Sequence, residues 1–206
     1  MSSDFQFAPT MAALRRFAQP PPAPERCELC SAELTAEHPH LLELSSRQLV
    51  CACRACAILF DTEGAGKFRR VPERVQFLPN FSLTDEAWLG LGLPINLAFF
   101  LHSTVAGHVV ALYPSPAGAT EAYVPMDAWQ MLEQDNPVLC DLRPDVEALL
   151  VNRMGEAREH YRVGIDKCYE LVGLIRTHWR GWSGGQTVWE AIDRFFVGLR
   201  GGIPHA

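Results

Sequence analysis

Three apolar runs of strand length lie in the middle of the chain, at 96–103, 107–114 and 119–125. Short polar and glycine-containing sequences, TVAG and SPAG, separate these runs and predict turns. Connections this short can only reverse the chain direction, whereas parallel strands need a long crossover. We therefore expect three consecutive strands that pair antiparallel.

Helical spacing of apolar residues appears in other segments. The segments 167–179 and 186–200 each carry an apolar stripe with polar residues on the other faces, which predicts two amphipathic helices near the C-terminus. A shorter helix is expected within 82–92, where Ser or Thr precedes acidic residues in the first turn. Another is expected at 126–135.

A further pair of strands is expected at 145–153 and 160–166, on either side of a polar loop. The first of these runs could equally be helical, because Glu, Ala and Leu are good helix formers. Runs of strands followed by helices predict an α+β fold. We expect a small N-terminal zinc-ribbon-like hairpin packed on a mainly antiparallel sheet, with helices at the C-terminus.

Changes in composition divide the chain into three parts. Residues 1–24 predict a short helix at 9–18 and a proline-rich linker. Residues 25–62 contain five of the seven cysteines and two short strand-like runs around the turn sequence SSR, which predicts a hairpin. Residues 63–202 form the predicted α+β domain.

Charge and hydropathy narrow the classes of function. The 206 residues carry a net charge of −6, and no stretch of basic residues offers a phosphate-binding patch, which argues against a nucleic-acid partner. No apolar run is long enough for a membrane span, and the N-terminus lacks the pattern of a signal peptide. We expect a cytoplasmic protein. In that reducing compartment, clustered cysteines are interpreted as metal ligands in preference to disulfides.

Two Cys-x-x-Cys pairs give the clearest chemical signal. Cys27 and Cys30 form the first pair, Cys53 and Cys56 the second, and residues 31–52 separate them, as in a four-cysteine zinc ribbon. Four thiolates complete a tetrahedron and leave no open position, so the predicted ion is structural. Zinc is expected, with iron as the alternative because four thiolates bind either metal.

Cys51 lies two positions before Cys53, and on an extended strand both side chains would point the same way. It is interpreted as a half-buried core cysteine. The alternative hypotheses are that it is an alternate metal ligand or a redox thiol.

His38 and His40 are possible ligands or catalytic imidazoles. Because four cysteines are already available, we interpret these histidines as surface or hairpin-packing residues.

One stretch near the C-terminus combines aromatic and basic side chains, which are typical of binding hot spots. It is a candidate surface for docking a protein partner. The alternative is that its tryptophans pack the two C-terminal helices together while the arginines stay in solvent. The residues concerned are Arg176, His178, Trp179, Arg180 and Trp182.

Several motifs together resemble a known family. RCELC, EHPHLLEL and CACRACAILF near the N-terminus, LAFFLHST and VVALYPSPAGATE in the middle, and NPVL, PDVEALLVNR and IDKCYELVGLIRTHWRGWSGG later look like an uncharacterised bacterial family. Its genes lie beside those of certain nickel–iron hydrogenases, and the resemblance runs from about residue 12 to 200. It implies a hydrogenase-associated accessory protein. It carries over no catalytic residue, only the cysteines as a metal site.

Three hypotheses for function follow. The first is a binding or assembly protein whose partner is a hydrogenase subunit or a maturation factor. The second is a rubredoxin-like iron protein that carries electrons. The third is an enzyme, although Walker and G-x-G-x-x-G motifs are absent, and GWSGG at 181–185, which fits the letters of G-x-S-x-G, follows a predicted helix and not a strand and is interpreted as a turn. Its site would need Tyr113, Glu121, Arg153 and His160 to converge. We favour the first, and expect no nucleic-acid or membrane partner.

Overall fold

The structure, a computed structural model, describes residues 24–61, 66–181 and 184–201. The predicted helix at 9–18 therefore lies outside the described residues, as does the linker before Pro24. No helix within the described ranges is long and apolar enough to cross a membrane. The elements in chain order are β1 (His40–Glu43), β2 (Gln48–Cys51), α1 (Arg54–Leu59), β3 (Phe68–Arg70), β4 (Val75–Phe77), α2 (Asp85–Gly90), β5 (Leu97–Ser103), β6 (His108–Ser115), β7 (Gly118–Ala122), α3 (Met126–Asp135), a 3-10 turn (Pro137–Leu139), β8 (Glu147–Asn152), β9 (Glu159–Gly164), α4 (Ile165–His178) and α5 (Gln186–Gly201).

The larger sheet has six antiparallel strands in the order β4-β9-β8-β5-β6-β7. The predicted strands β5, β6 and β7 follow one another across it, joined by tight turns, so the expected antiparallel pairing is confirmed. The segment that could have been a helix is strand β8. It lies between β9 and β5, and all six of its residues are buried. Apolar burial on both faces overrides the helix propensity of Glu, Ala and Leu.

Helices cover this sheet on both faces. Leu97, Phe99 and Leu101 of β5 pack in a cluster with α4 and α5. Ala98 and Phe100, whose side chains point the opposite way, pack in a second cluster with α2 and α3. The large sheet is thus the central layer of three, with an apolar core on each side.

The smaller sheet has three antiparallel strands in the order β2-β1-β3. Leu42 of β1 and Val71, just after β3, belong to the same apolar cluster as α4 and α5, and Leu49 packs against it. The predicted α+β fold, with an N-terminal cysteine-bearing hairpin and C-terminal helices, is confirmed. The domain boundaries remain a prediction, and β3 at 68–70 pairs with β1 although it lies beyond the predicted boundary at residue 62.

Polar contacts also join the two sheets. Arg69 of β3 donates a 3.0 Å hydrogen bond to Asp145, whose carboxylate also accepts from the backbone N–H and hydroxyl of Thr104. Gly164 lies so close to the link after β3 that an added Cβ would overlap the carbonyl oxygen of Pro72.

The short β4 and helix α1 were not predicted, since three and six residues are too few to show a period.

Candidate metal centre

The first Cys-x-x-Cys pair lies on a tight turn before the hairpin. The Ser31 N–H donates to the Cys27 carbonyl at 2.7 Å, and the Cys27 N–H donates to the Ala32 carbonyl at 2.8 Å. Ser31 has a φ of 63°, a left-handed conformation that glycine adopts most readily. This turn brings Cys27 and Cys30 toward the same point.

The second pair lies where strand β2 gives way to helix α1. Cys53 is the N-cap of α1, and its sulfur accepts a hydrogen bond from the Cys56 N–H at 3.4 Å. A residue at the N-cap and one in the first turn lie on the same side of a helix start. The helix therefore sets the spacing of Cys53 and Cys56.

The four predicted ligands meet in space. The sulfurs of Cys27, Cys30, Cys53 and Cys56 all lie within 4.8 Å of one another, and those of Cys30 and Cys53 are 3.6 Å apart. Sulfurs at about 2.3 Å from a tetrahedral zinc ion would be roughly 3.8 Å apart. The cluster therefore has the donor chemistry and the dimensions to bind a metal ion such as zinc.

Burial and hydrogen bonding give Cys27 and Cys56 different pKa values. Burial opposes ionisation of Cys27, but backbone hydrogen bonds from Cys53, Leu29 and Cys30 lower its pKa to about 6. Burial and the neighbouring thiols raise the pKa of Cys56 to about 12. The Cys27 thiolate thus forms readily, whereas a divalent cation would have to displace the proton of Cys56.

Cys51 is not part of this group. Its sulfur lies with the ring nitrogens of His38 and His40, all within 4.8 Å of one another. Strand β2 ends at Cys51 and the chain turns into α1, so Cys51 and Cys53 do not share the common direction that an unbroken strand would give them. The expectation that both point the same way is wrong because the strand ends between them.

The predicted docking residues are divided between solvent and core. Arg176 and Arg180 are exposed, while His178 and Trp179 are half-buried, and Trp182 lies outside the described residues. The Trp179 ring lies 6.4 Å from that of Trp189 on α5 and packs against the main apolar cluster. Docking at this stretch stays a prediction, and Trp179 has a packing role.

The residues considered for an enzyme site do not converge. Arg153 and His160 lie near the β8–β9 end of the sheet, where His160 stacks on Phe81 at 4.7 Å. Glu121 lies on β7, four strands from β9, and pairs with Arg47 at 2.7 Å. Strands are about 4.8 Å apart, so roughly 19 Å separates β7 from β9. These residues form no common pocket.

The fold and the site define an α+β protein with a cysteine cluster that can bind metal. The chain belongs to a family of unknown function (DUF5947), whose model matches residues 26–202. The match covers both sheets and all four clustered cysteines. No curated protein and no solved structure matches the chain.

Proposed function

We propose that Cys27, Cys30, Cys53 and Cys56 hold a structural zinc ion, and that the protein is an accessory factor that binds another protein. The observation that carries the zinc proposal is the convergence of the four sulfurs within 4.8 Å. Four thiolates fill a tetrahedral site, so the ion would supply stability and offer no position to a substrate. Zinc would fix the turn before β1 to the start of α1.

An exposed apolar surface beside the cysteines supports a binding role. Helix α1 turns Cys56 and Ala57 inward, whereas the next two residues, Ile58 and Leu59, are 64% and 70% exposed. Adjacent large apolar side chains in solvent are typical of sites that bind another protein. A metal site that rigidifies α1 would preorganise this surface and reduce the entropic cost of binding.

The family resemblance found in the sequence makes a nickel–iron hydrogenase subunit, or a maturation factor of that enzyme, the first partner to test. The second candidate surface is the stretch that contains Arg176, which is exposed in the last turn of α4, and Arg180, which is exposed just after the helix ends. We favour the α1 surface, because its apolar residues have no packing role within the described residues.

The metal is tested by elemental analysis and a visible spectrum of protein purified without oxygen. Zinc bound by the four cysteines, with no colour, supports the structural proposal. Iron with thiolate charge-transfer bands would contradict it and favour the rubredoxin-like electron carrier. Cys30→Ser should lose this metal because only three thiolates remain, while Cys140→Ser, at an exposed cysteine outside the cluster, should keep it.

Partner binding is tested by co-expression with the hydrogenase subunits and maturation factors, followed by size-exclusion chromatography of the complex. Leu59→Glu should weaken the complex at least about tenfold, since burying a charge in an apolar contact opposes association. Arg176→Glu tests the second surface. Val105→Glu, at another exposed apolar residue far along the chain, is the control. Absence of any complex with the native chain would contradict the accessory role.

A further inference from the structure

The two faces of the β1–β2 hairpin have different surroundings. Leu41 and Ala52 lie on the face that packs with Cys27 and Cys56 of the four-cysteine cluster. Leu42 of β1 lies on the other face and packs with the core of the large sheet. Side chains alternate between faces along a strand, so residues that share the register of Leu42 are directed away from the four cysteines.

His40 and Cys51 lie on this second face. They are direct partners in the antiparallel register, and directly opposed residues point to the same side of a sheet. His40 is two positions from Leu42, which places the pair on the face directed toward α4. Cys51 therefore lies on the opposite face of the hairpin from Leu41, and the end of β2 at Cys51 separates it from Cys53 of the four-cysteine cluster.

His38 completes a compact group of three metal-ligating side chains. The ligand atoms of His38, His40 and Cys51 all lie within 4.8 Å of one another. The two imidazole rings are tilted, with centroids 4.9 Å apart, so they are not simply stacked on each other. Two imidazoles and one thiolate form a donor set that suits zinc and neighbouring divalent metals.

The two nitrogens of His38 have different environments. Its side chain is only 8% exposed. Nδ1 lies 3.0 Å from the Thr35 carbonyl oxygen, while Nε2 is buried and has no hydrogen-bond partner within the described residues. Buried polar atoms in proteins are nearly always paired, so an unpaired buried nitrogen calls for an explanation. A bound cation would satisfy this nitrogen.

His40 has an outer contact of the kind that orients metal-binding histidines. Its Nδ1 lies 3.5 Å from the carboxylate of Asp166, in the first turn of α4. Metal-binding imidazoles commonly direct the other ring nitrogen toward a carboxylate or a carbonyl, which fixes the ring and raises its basicity. The Thr35 carbonyl and the Asp166 carboxylate match this pattern, and they leave Nε2 of each ring for the ion.

We propose that His38, His40 and Cys51 bind a second divalent cation of the zinc class, at a site separate from the four cysteines. Three protein ligands leave a fourth position for water or a small ligand, as in zinc sites that react or exchange their metal. His38, His40 and Asp166 line a cleft of about 840 Å³ between the small sheet and α4, which gives that position access to solvent.

The stoichiometry of cobalt binding tests the proposal. Metal-free native protein, titrated with Co²⁺ without oxygen, should bind two equivalents with different visible spectra. Cys51→Ser and His38→Ala should each lose one equivalent and keep the spectrum of the four-thiolate site. His102→Ala, at an exposed histidine on β5, should still bind two. The retained four-thiolate spectrum shows that these variants fold.

The two metal sites fail independently in this experiment. Cys30→Ser should lose the four-thiolate spectrum, which concerns the proposed structural ion, without identifying the second site. A native chain that binds one equivalent only, or a Cys51→Ser variant that still binds two, would overturn the three-ligand site. The four-cysteine proposal would survive either result.

Two further measurements examine the open position and the orienting carboxylate. Imidazole added to the two-cobalt protein should change the spectrum of the second ion and leave that of the first. Asp166→Asn should weaken the binding of the second ion by about 10- to 100-fold and leave the binding of the first unchanged, because the carboxylate orients His40 and does not bind metal itself. Equal weakening of both ions would indicate a general structural defect and contradict the assigned role.

Discussion

The two sheets of this protein are stabilised by different means. The large sheet lies between two apolar clusters, one of 22 and one of 14 buried residues among those described. The small core of the three-stranded sheet contains five buried residues, and two of them are the cysteines Cys27 and Cys56. Hydrocarbon burial alone can stabilise the large sheet, whereas the core of the small one is so limited that the proposed ion would have to supply much of its stability.

This difference separates the roles of the two regions. The large sheet, with an apolar cluster on each face, forms a rigid platform whose stability does not depend on a ligand. With the proposed ion bound to its cysteines, the small sheet would link its own folding to the presence of that ion. The small sheet still rests on the platform through Leu42, Leu49 and Val71, so loss of the ion should loosen it without unfolding the rest.

Removal of the proposed metal ion should have the largest effect on stability, and it tests most directly whether the two sheets are stabilised by different means. Binding of a structural zinc ion contributes about 10 kcal/mol or more in small metal-dependent units. A strong chelator should therefore abolish amide-exchange protection in β1 and β2 while β5 and β8 stay protected. Hydrogen exchange read by mass spectrometry checks this. Loss of protection in both sheets together would show that they fold as one unit.

A large-to-small substitution in the platform should have the converse effect. Phe100 is fully buried on β5, with its ring 5.4 Å from that of Trp129. Phe100→Ala should lower the free energy of unfolding by about 3–5 kcal/mol, because it removes apolar contacts and leaves a cavity. Urea unfolding measures the loss, and metal content should not change. Leu89→Ala, at an exposed residue of α2, should change stability by no more than about 0.5 kcal/mol.

Lowering the pH should reduce the stability of the large-sheet region, because His160 titrates differently in the folded and unfolded states. Burial, together with the charges of Arg153 and Arg158, lowers the pKa of His160 from 6.5 to about 4. Between these values the unfolded chain binds a proton that the folded chain does not, so stability is retained above pH 6.5 and falls as the pH drops toward 4. The expected loss is roughly 3 kcal/mol by pH 4.

The comparison of native protein with His160→Gln isolates this effect from proton release at the cysteines. Urea unfolding between pH 8 and pH 4 should show a shallower loss of stability in the variant, whatever its stability at pH 8. Equal slopes in the two proteins would mean that His160 does not titrate differently in the folded and unfolded states.

The smallest effect is expected where the two sheets meet. Arg69→Met removes the hydrogen bond to Asp145 but keeps the apolar stem, and Thr104 still donates two hydrogen bonds to the carboxylate. We expect a loss of about 1–2 kcal/mol, as for a partly buried charged hydrogen bond. Exchange rates in β3 should rise more than those in β8. An equal rise in both strands would contradict a local role.

Local patterns in the sequence predicted much of this fold. Strands β5 to β7 lie in consecutive apolar runs with tight turns between them, and α3 matches the segment 126–135. Because these elements depend on neighbours along the chain, periodicity and turn chemistry were sufficient. Helix α1 and strand β4 were missed, since their start and pairing depend on Cys53 as a cap and on β9 as a distant partner.

For the candidate sites, the sequence by itself determined which four cysteines converge, because the spacing within each pair is a local property. It did not determine the partners of Cys51. That was decided by the register of β1 against β2, which opposes Cys51 to His40, and by the end of β2 before Cys53. The position of Asp166 beside His40 likewise exists only in the tertiary structure. Register and packing join residues that are far apart along the chain, and no local pattern records such contacts.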